Sequence, residues 1–354
     1  MLNYLASSRH ICWSASFIVN PNSIGISASF KLRSFGSKIA ALDEGRHMTF
    51  GNFTNSVTVD DTAEPCRSRG GQPTVSSRRP FEFDDLETQF DPEQNTLWTY
   101  MRQRSRPSFN PELLAEFGQW QDDVVDARES GKMPIRYLVL GSRFPGIFSL
   151  GGDLDLFAAH IRDGDRAALV RYGRACVRIL HRNMRSLDQP IVTIGLVEGD
   201  ALGGGFEALL SFNVVVAERG TSFGLPETNF GLFPGMGAHC FLSRRLGTAR
   251  AEQMILSGRT YTAEELYDLG IVHALAAPGR GRAEVEGYIR QNRRRHSGHC
   301  AIYEASRSVN PLPLTELETV VDLWADAALR LSEADLKLMR RLVGAQTRLL
   351  DKAA

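Results

Sequence analysis

From about residue 95 onward the chain alternates continuous apolar runs with segments of helical period. NTLWTYM (95–101) reads as a strand, and IRYLVLGS (135–142), PIVTIGLVEG (190–199) and NVVVAE (213–218) read as strands buried on both faces. Asn110-Pro111-Glu112 opens a helix, with an N-cap and a proline in the first turn, that should run to about Glu129. A helical segment is expected over roughly 153–187, and another after the glycines at 203–205. Apolar strands separated by helices predict an α/β chain of stacked, largely parallel β units.

Beyond Gly235 the pattern turns mainly helical. Thr262-Ala-Glu-Glu265 has the form of a capping box, and its short helix should stop at Gly270 before a strand IVHAL. Thr315-x-x-Glu318 and Ser332-x-x-Asp335 predict two further helix starts. Leu317, Val320, Val321, Trp324, Ala328 and Leu331 then share one helix face, and Leu336, Met339, Leu342 and Val343 share another.

Composition narrows the class. Apolar residues make up 43% of the 354 and the formal net charge is zero, so no overall field recruits nucleic acid or anionic lipid. No run approaches the ~18 apolar residues of a membrane span. Cys12, Cys66, Cys176, Cys240 and Cys300 are odd in number and scattered, which argues against a disulfide framework or a zinc site and for a reducing, cytoplasmic setting. The histidines show no HExxH spacing, so no metal is expected. Residues 1–42 lack acids and are serine-rich, like a transit peptide; the alternative is an over-extended start with Met48 as initiator. Residues 62–80 are polar and turn-rich, so 1–80 reads as an extension outside the folded core, disordered or mis-started.

Three segments carry candidate chemistry. FSLGGDL (148–154) comes after a strand and offers the Gly151-Gly152 backbone to a ligand, although such a pair can equally be a turn. GDALGGGFEALL (199–210) runs from a strand through three glycines into a helix, whose unpaired N–H groups suit an oxyanion. It also sets Glu207 among Phe206, Ala208, Leu209 and Leu210, where a solvated helix face would be polar. SFGLPETNFGLFPGMGA (222–238) places Glu227 directly after a proline and offers a further helix start at Pro-Gly-Met-Gly.

Taken together, the Gly-Gly-Asp loop, ALGGGxE, FGxPE twenty residues further on and GxxPGxG resemble the crotonase (enoyl-CoA hydratase/isomerase) superfamily over roughly residues 95–310. SLGGDLDLF, ALGGGFEALLS, GLPETNFGLFPGMGA and the C-terminal WADAALRLSEADLKLMRRLVGAQTR are similar more closely to the diffusible signal factor synthases, which make cis-2-unsaturated fatty acids. The resemblance implies a ββα spiral core over 81–310 and C-terminal helices over 311–354 that complete the pocket and hold a homotrimer. It implies catalytic carboxylates at Glu207 and Glu227, an oxyanion hole at the Gly152 and Gly204 N–H groups, and no cofactor. The implied substrate is a 3-hydroxyacyl group on acyl carrier protein or CoA, dehydrated and then released as free acid; a sensor protein is a further implied partner. Which glutamate is acid and which base stays open.

Leu150, Gly151, Phe233, Gly235, Trp324 and Leu342 are the expected substrate-contacting positions, with Phe148 and Leu331 as further candidates for an acyl tunnel; core packing is the alternative for each. Asp155 stands two positions after the Asp of the first glycine loop, where many hydratases carry a base facing the CoA nucleotide, so it favours a carrier protein or has no role. His239 and His273 read as structural, and Arg293-Arg294-Arg295 as a solvated helix end or a docking patch for an acidic carrier.

Overall fold

The computed structural model describes residues 81–103, 106–339 and 341; the expected N-terminal extension, Leu342 and Val343 lie outside them. Its ten strands are β1 (Leu86–Asp91), β2 (Thr96–Met101), β3 (Tyr137–Ser142), β4 (Ile147–Ser149), β5 (Val192–Val197), β6 (Asp200–Leu202), β7 (Val214–Glu218), β8 (Ser222–Gly224), β9 (Thr260–Thr262) and β10 (Ala274–Ala276). One sheet has the order β1-β2-β3-β5-β7-β10, parallel except at the β1–β2 edge; the other is β4-β6-β8-β9, antiparallel only at β9.

The helices are α1 (Pro111–Glu129), α2 (Leu154–Arg162), α3 (Arg166–Met184), α4 (Gly204–Leu209), α5 (Ala238–Leu246), α6 (Thr248–Ser257), α7 (Ala263–Asp268), α8 (Gly281–Asn292), α9 (His296–Val309) and α10 (Leu314–Ala328); residues 333–339 are helical again. Long strand, short strand and helix repeat three times: β3, β4 and α2; β5, β6 and α4; β7, β8 and a 3-10 turn over Pro226–Phe230. The chain therefore winds as a spiral, adding one strand to each sheet per turn.

The continuous apolar runs have a direct cause. Trp98, Tyr100, Tyr137, Val139, Val192, Ile194 and Val216 point from the large sheet towards Val285 and Ile289 of α8. The residues between them, Leu97, Leu138, Leu140, Val197 and Val215, join the main core on the opposite face. A parallel sheet covered on both sides needs apolar residues at every position.

Several local expectations are met. Asn110 Oδ1 accepts from Leu113 N–H at 2.8 Å and caps α1. Thr262 and Glu265 form the reciprocal capping box of α7, and Ser332 and Asp335 exchange equivalent bonds. Others are corrected. The segment 153–187 is two helices, because Gly164 takes φ +65° and Asp165 caps a new start. Thr315 caps nothing: α10 begins one residue earlier behind Pro313, whose ring presets the backbone, and no side chain makes a cap hydrogen bond there. In IVHAL only the end is strand, since pairing with β7 starts at Ala274.

Candidate active site

Parallel pairing of β4 with β6 and of β6 with β8 lays three chain turns side by side, so the loop leaving each strand meets the loops leaving its neighbours. Gly151-Gly152 come just after β4, Gly203-Gly204 and Glu207 after β6, and Glu227 after β8. They surround a cavity of about 220 Å³ lined by Gly152, Gly204, Glu207 and Glu227, with apolar walls that include Leu150, Phe157, Tyr172, Met236 and Trp324.

The glycine loops touch through backbone alone. Gly151 sits at φ +90°, and a Cβ there would lie 2.7 Å from Gly204 N. Gly203 sits at φ +53°, and a Cβ there would lie 2.8 Å from Glu227 Oε1. Both positions demand glycine on two counts, conformation and space. Gly152 N–H and Gly204 N–H, the latter the first residue of α4, have no backbone acceptor among the described residues. Two neighbouring N–H groups left free on a cavity wall can hold an oxyanion.

Glu207 is 1% exposed. Its Oε1 accepts from Met236 N–H at 2.8 Å, in the Pro-Gly-Met-Gly turn, and from Ala238 N–H at 2.9 Å, the first residue of α5. Burial raises its pKa, and the two N–H donors pull against that rise. Glu227 is half-buried, with Oε2 shielded from water and without a hydrogen-bond partner. Burial raises it first and the Glu207 charge raises it further; only its own backbone N–H opposes. The two N–H donors on Glu207 favour its ionised form, whereas Glu227 Oε2 has no such donor. A pair holding one proton can accept at one carboxylate while donating from the other.

Of the expected contact residues, Leu150, Gly235 and Trp324 line the cavity. Trp324 reaches it from α10, with its ring against Gly235 and edge-on to Phe157 at 5.1 Å. Gly151, Phe233, Phe148 and Leu331 do not line it: Gly151 supports Gly204 from behind, Phe148 is buried in the core, and Phe233 and Leu331 pack against that core. Leu342 lies outside the described residues. Sequence reasoning missed Phe157, Tyr172, Leu232 and Met236, whose apolar spacing on helices and loops is that of any core residue.

Asp155 is not a bare acid, because Arg106 Nη2 meets its Oδ2 at 2.5 Å and also approaches Asp153 at 3.7 Å. The guanidinium offsets its repulsion of a phosphate, so Asp155 does not discriminate between carriers. His273 is structural as expected: its Nδ1 accepts from Val215 N–H at 3.0 Å, and burial beside Arg245 lowers its pKa to about 4. His239 instead lies near the surface, 3.8 Å from Glu252. Arg293–Arg295 is an exposed 3-10 turn.

Comparison with known proteins points the same way. The family model described as Enoyl-CoA hydratase/isomerase matches residues 97–295. Enoyl-CoA hydratase domain-containing protein 2, mitochondrial, of Mus musculus is 31% identical over 176 residues, 49% of this chain and 54% of that protein. A probable enoyl-CoA hydratase of Bacillus subtilis is 34% identical over 125 residues, 35% of this chain and 46% of that protein. The chain thus spans about half the length, or less, of these curated relatives. Among solved structures, enoyl-CoA hydratase from Bacillus halodurans superposes with a TM-score of 0.60 at 20% identity, over 72% of this chain and 98% of that one. Pseudomonas aeruginosa DspI does so with a TM-score of 0.55 at 22% identity, over 70% and 98%. At these identities the structures speak for the fold, which is the crotonase ββα spiral. With more than half of its length inside the family model, and with its glycine loops and carboxylates on consecutive turns of that spiral, the chain belongs to the enoyl-CoA hydratase/isomerase family.

Proposed function

We propose that this chain dehydrates a 3-hydroxyacyl thioester, delivered on acyl carrier protein, and then hydrolyses it to release a 2-unsaturated fatty acid signal, as the diffusible signal factor synthases do. The observation that carries the chemistry is the pair Glu207 and Glu227 on one apolar cavity with the free N–H groups of Gly152 and Gly204. The thioester carbonyl oxygen is held by those two donors, so that charge developing on it as the alpha proton leaves is met by dipoles already in place. The ionised member of the glutamate pair accepts the alpha proton, and the protonated member gives its proton to the departing hydroxyl. For release, water adds to the same carbonyl as the ionised glutamate takes its proton, and the same two N–H groups hold the tetrahedral oxyanion. Its collapse breaks the C–S bond, the carrier thiol leaving with the proton of the other glutamate. The carrier and the release step rest on the sequence resemblance in the motifs and the C-terminal helices. The protein then acts in a reducing cytoplasm; among the described residues no helix is long and apolar enough to cross a membrane.

The domain reading carries over as part of this proposal, with 81–310 as the catalytic core and 311–354 as pocket wall and trimer contact. α10 supplies Trp324 to the cavity and leaves Leu323 exposed, and Ile302 and Val309, exposed on α9 at the end of the core, extend the apolar surface open to another copy.

The second reading is an ordinary enoyl-CoA hydratase, favoured by the names of the curated relatives. Incubation with 3-hydroxyacyl carrier protein and with 3-hydroxyacyl-CoA separates the two. Free cis-2-enoic acid from the carrier protein supports the first, and reversible hydration of the CoA ester alone sinks it. A third reading, a homologue that acts by binding a sensor protein, predicts that Glu207→Gln with Glu227→Gln leaves the cellular function intact.

A further inference from the structure

The core holds a second chamber of about 30 Å³, which shares Met236 as a lining residue with the reaction cavity. Trp120 and Gln121 of α1, Asn183 of α3, and Ala208 and Ser211 on the α4 side contribute to its wall. Three of these lining residues each carry a buried polar atom with no hydrogen-bond partner among the described residues: Trp120 Nε1, Gln121 Oε1 and Asn183 Oδ1. Their side chains are 2%, 1% and 4% exposed. Leaving three such groups unpaired in one place would be costly, and buried polar groups are rarely left so.

The other half of each amide fixes what is missing. Gln121 Nε2 donates to the Ile179 carbonyl at 3.0 Å, and a carbonyl can only accept. Asn183 Nδ2 donates to Ser211 Oγ at 2.9 Å, while the Ser211 proton goes to the Ala208 carbonyl at 2.6 Å. Neither amide can be turned over without losing a bond, so both unpaired oxygens are acceptors and the indole N–H is a donor. The missing group must donate twice and accept once. An alkyl tail does neither, a substrate hydroxyl donates once, and an ammonium cannot accept from the indole. Water meets the count, and a chamber of this size holds about one molecule.

We infer that this chamber is a built-in site for one water, bridging α1 to α3 and, through Asn183, Ser211 and the Ala208 carbonyl, bracing α4 beneath Glu207. Met236 lines both the chamber and the reaction cavity, and its N–H donates to Glu207. Asn183 is thus a positioning residue, and the bracing half of the inference rests on the proposed role of Glu207.

The test is a high-resolution crystal structure of the wild-type protein together with two variants. The expected result is one ordered water within hydrogen-bond distance of all three atoms. Gln121→Met with Asn183→Leu makes the wall apolar and should expel it, while Trp120→Phe removes only the donor. In the double variant, circular dichroism should show the native fold. Its kcat should fall by up to about 100-fold at similar KM, because a displacement near 1 Å is enough for that loss, and the acid limb of its pH profile should move. A dry wild-type chamber, or one entered by the chain of a bound acyl thioester analogue, overturns the site, and does so with the catalytic reading intact. Ordered water beside an unchanged kcat and pH profile in the double variant overturns the bracing role. An inactive wild type with the water in place sinks the catalytic reading and leaves the water site standing.

Discussion

At the scale of single residues, the two glutamates are where stability and activity oppose each other. Each has a folded pKa raised above the ordinary 4.5, so each favours the fold most while protonated. That contribution is complete below the ordinary carboxylate range and is lost as pH rises through the raised value. Glu227→Gln should therefore melt higher than wild type by about 2–4 °C on the alkaline side. The gap should shrink towards nothing as pH falls below 4.5, and scanning calorimetry across that window checks it. The same substitution, like Glu207→Gln, should lower kcat by about 10²–10⁴-fold. With one proton on the pair as the proposed active form, kcat/KM should trace a bell, with both limbs displaced above the usual carboxylate range. A profile flat across the neutral region would contradict the shared-proton arrangement. Gly151→Ala makes the complementary case. Its Cβ would strike Gly204 N, so kcat should fall by about 10²–10³-fold with both carboxylates in place. Steady-state kinetics on the folded variant reads this directly.

At the scale of elements, α10 closes the cavity by leaning on α3. Val321 comes so near Gly173 that a Cβ there would lie 2.6 Å from Val321 Cγ1. Along the same seam Arg166 pairs with Asp326 at 2.6 Å, Arg174 with Asp322 at 3.0 Å and Arg178 with Glu318 at 3.2 Å. These pairs are largely solvated and each is worth about 0–1 kcal/mol, so the apolar contact with Trp324 dominates. Gly173→Leu should lift α10 and let water reach Trp324, visible as a red shift in its fluorescence and as a loss of activity. By contrast, moving from low to high salt should change both only slightly. Much of this layer was legible in the chain. Of the expected face, Leu317, Val321, Trp324 and Ala328 are buried while Val320 and Leu331 are only partly so, and the caps at Asn110 and Thr262 bond as their residue types require. The short strands β4, β6 and β8 were not legible, because three residues show no period and their pairing is decided by partners 22 or more positions away.

At the scale of the whole molecule, α9 is amphipathic yet buries only His296 fully, leaving Ile302 and Val309 in solvent. If they meet another copy, sedimentation equilibrium should give a trimer for the full chain. Ile302→Asp with Val309→Asp should shift it towards monomer while circular dichroism stays native. A monomeric wild type would remove the trimer from the proposal.

What the sequence determined alone was local. Continuous apolar runs required strands covered on both faces, the glycines at 151–152 and 203–205 offered loops without side chains, and the apolar neighbours of Glu207 pointed to a buried carboxylate. Its partners were beyond reach, since the donors at Met236 and Ala238 are backbone groups and carry no residue signature. Only the tertiary structure decided that Gly152, Gly204, Glu207 and Glu227 share one cavity, because adjacency in the small sheet comes from the winding of the spiral. It also decided that burial raises both acids and that Glu207 meets the N–H groups of Met236 and Ala238.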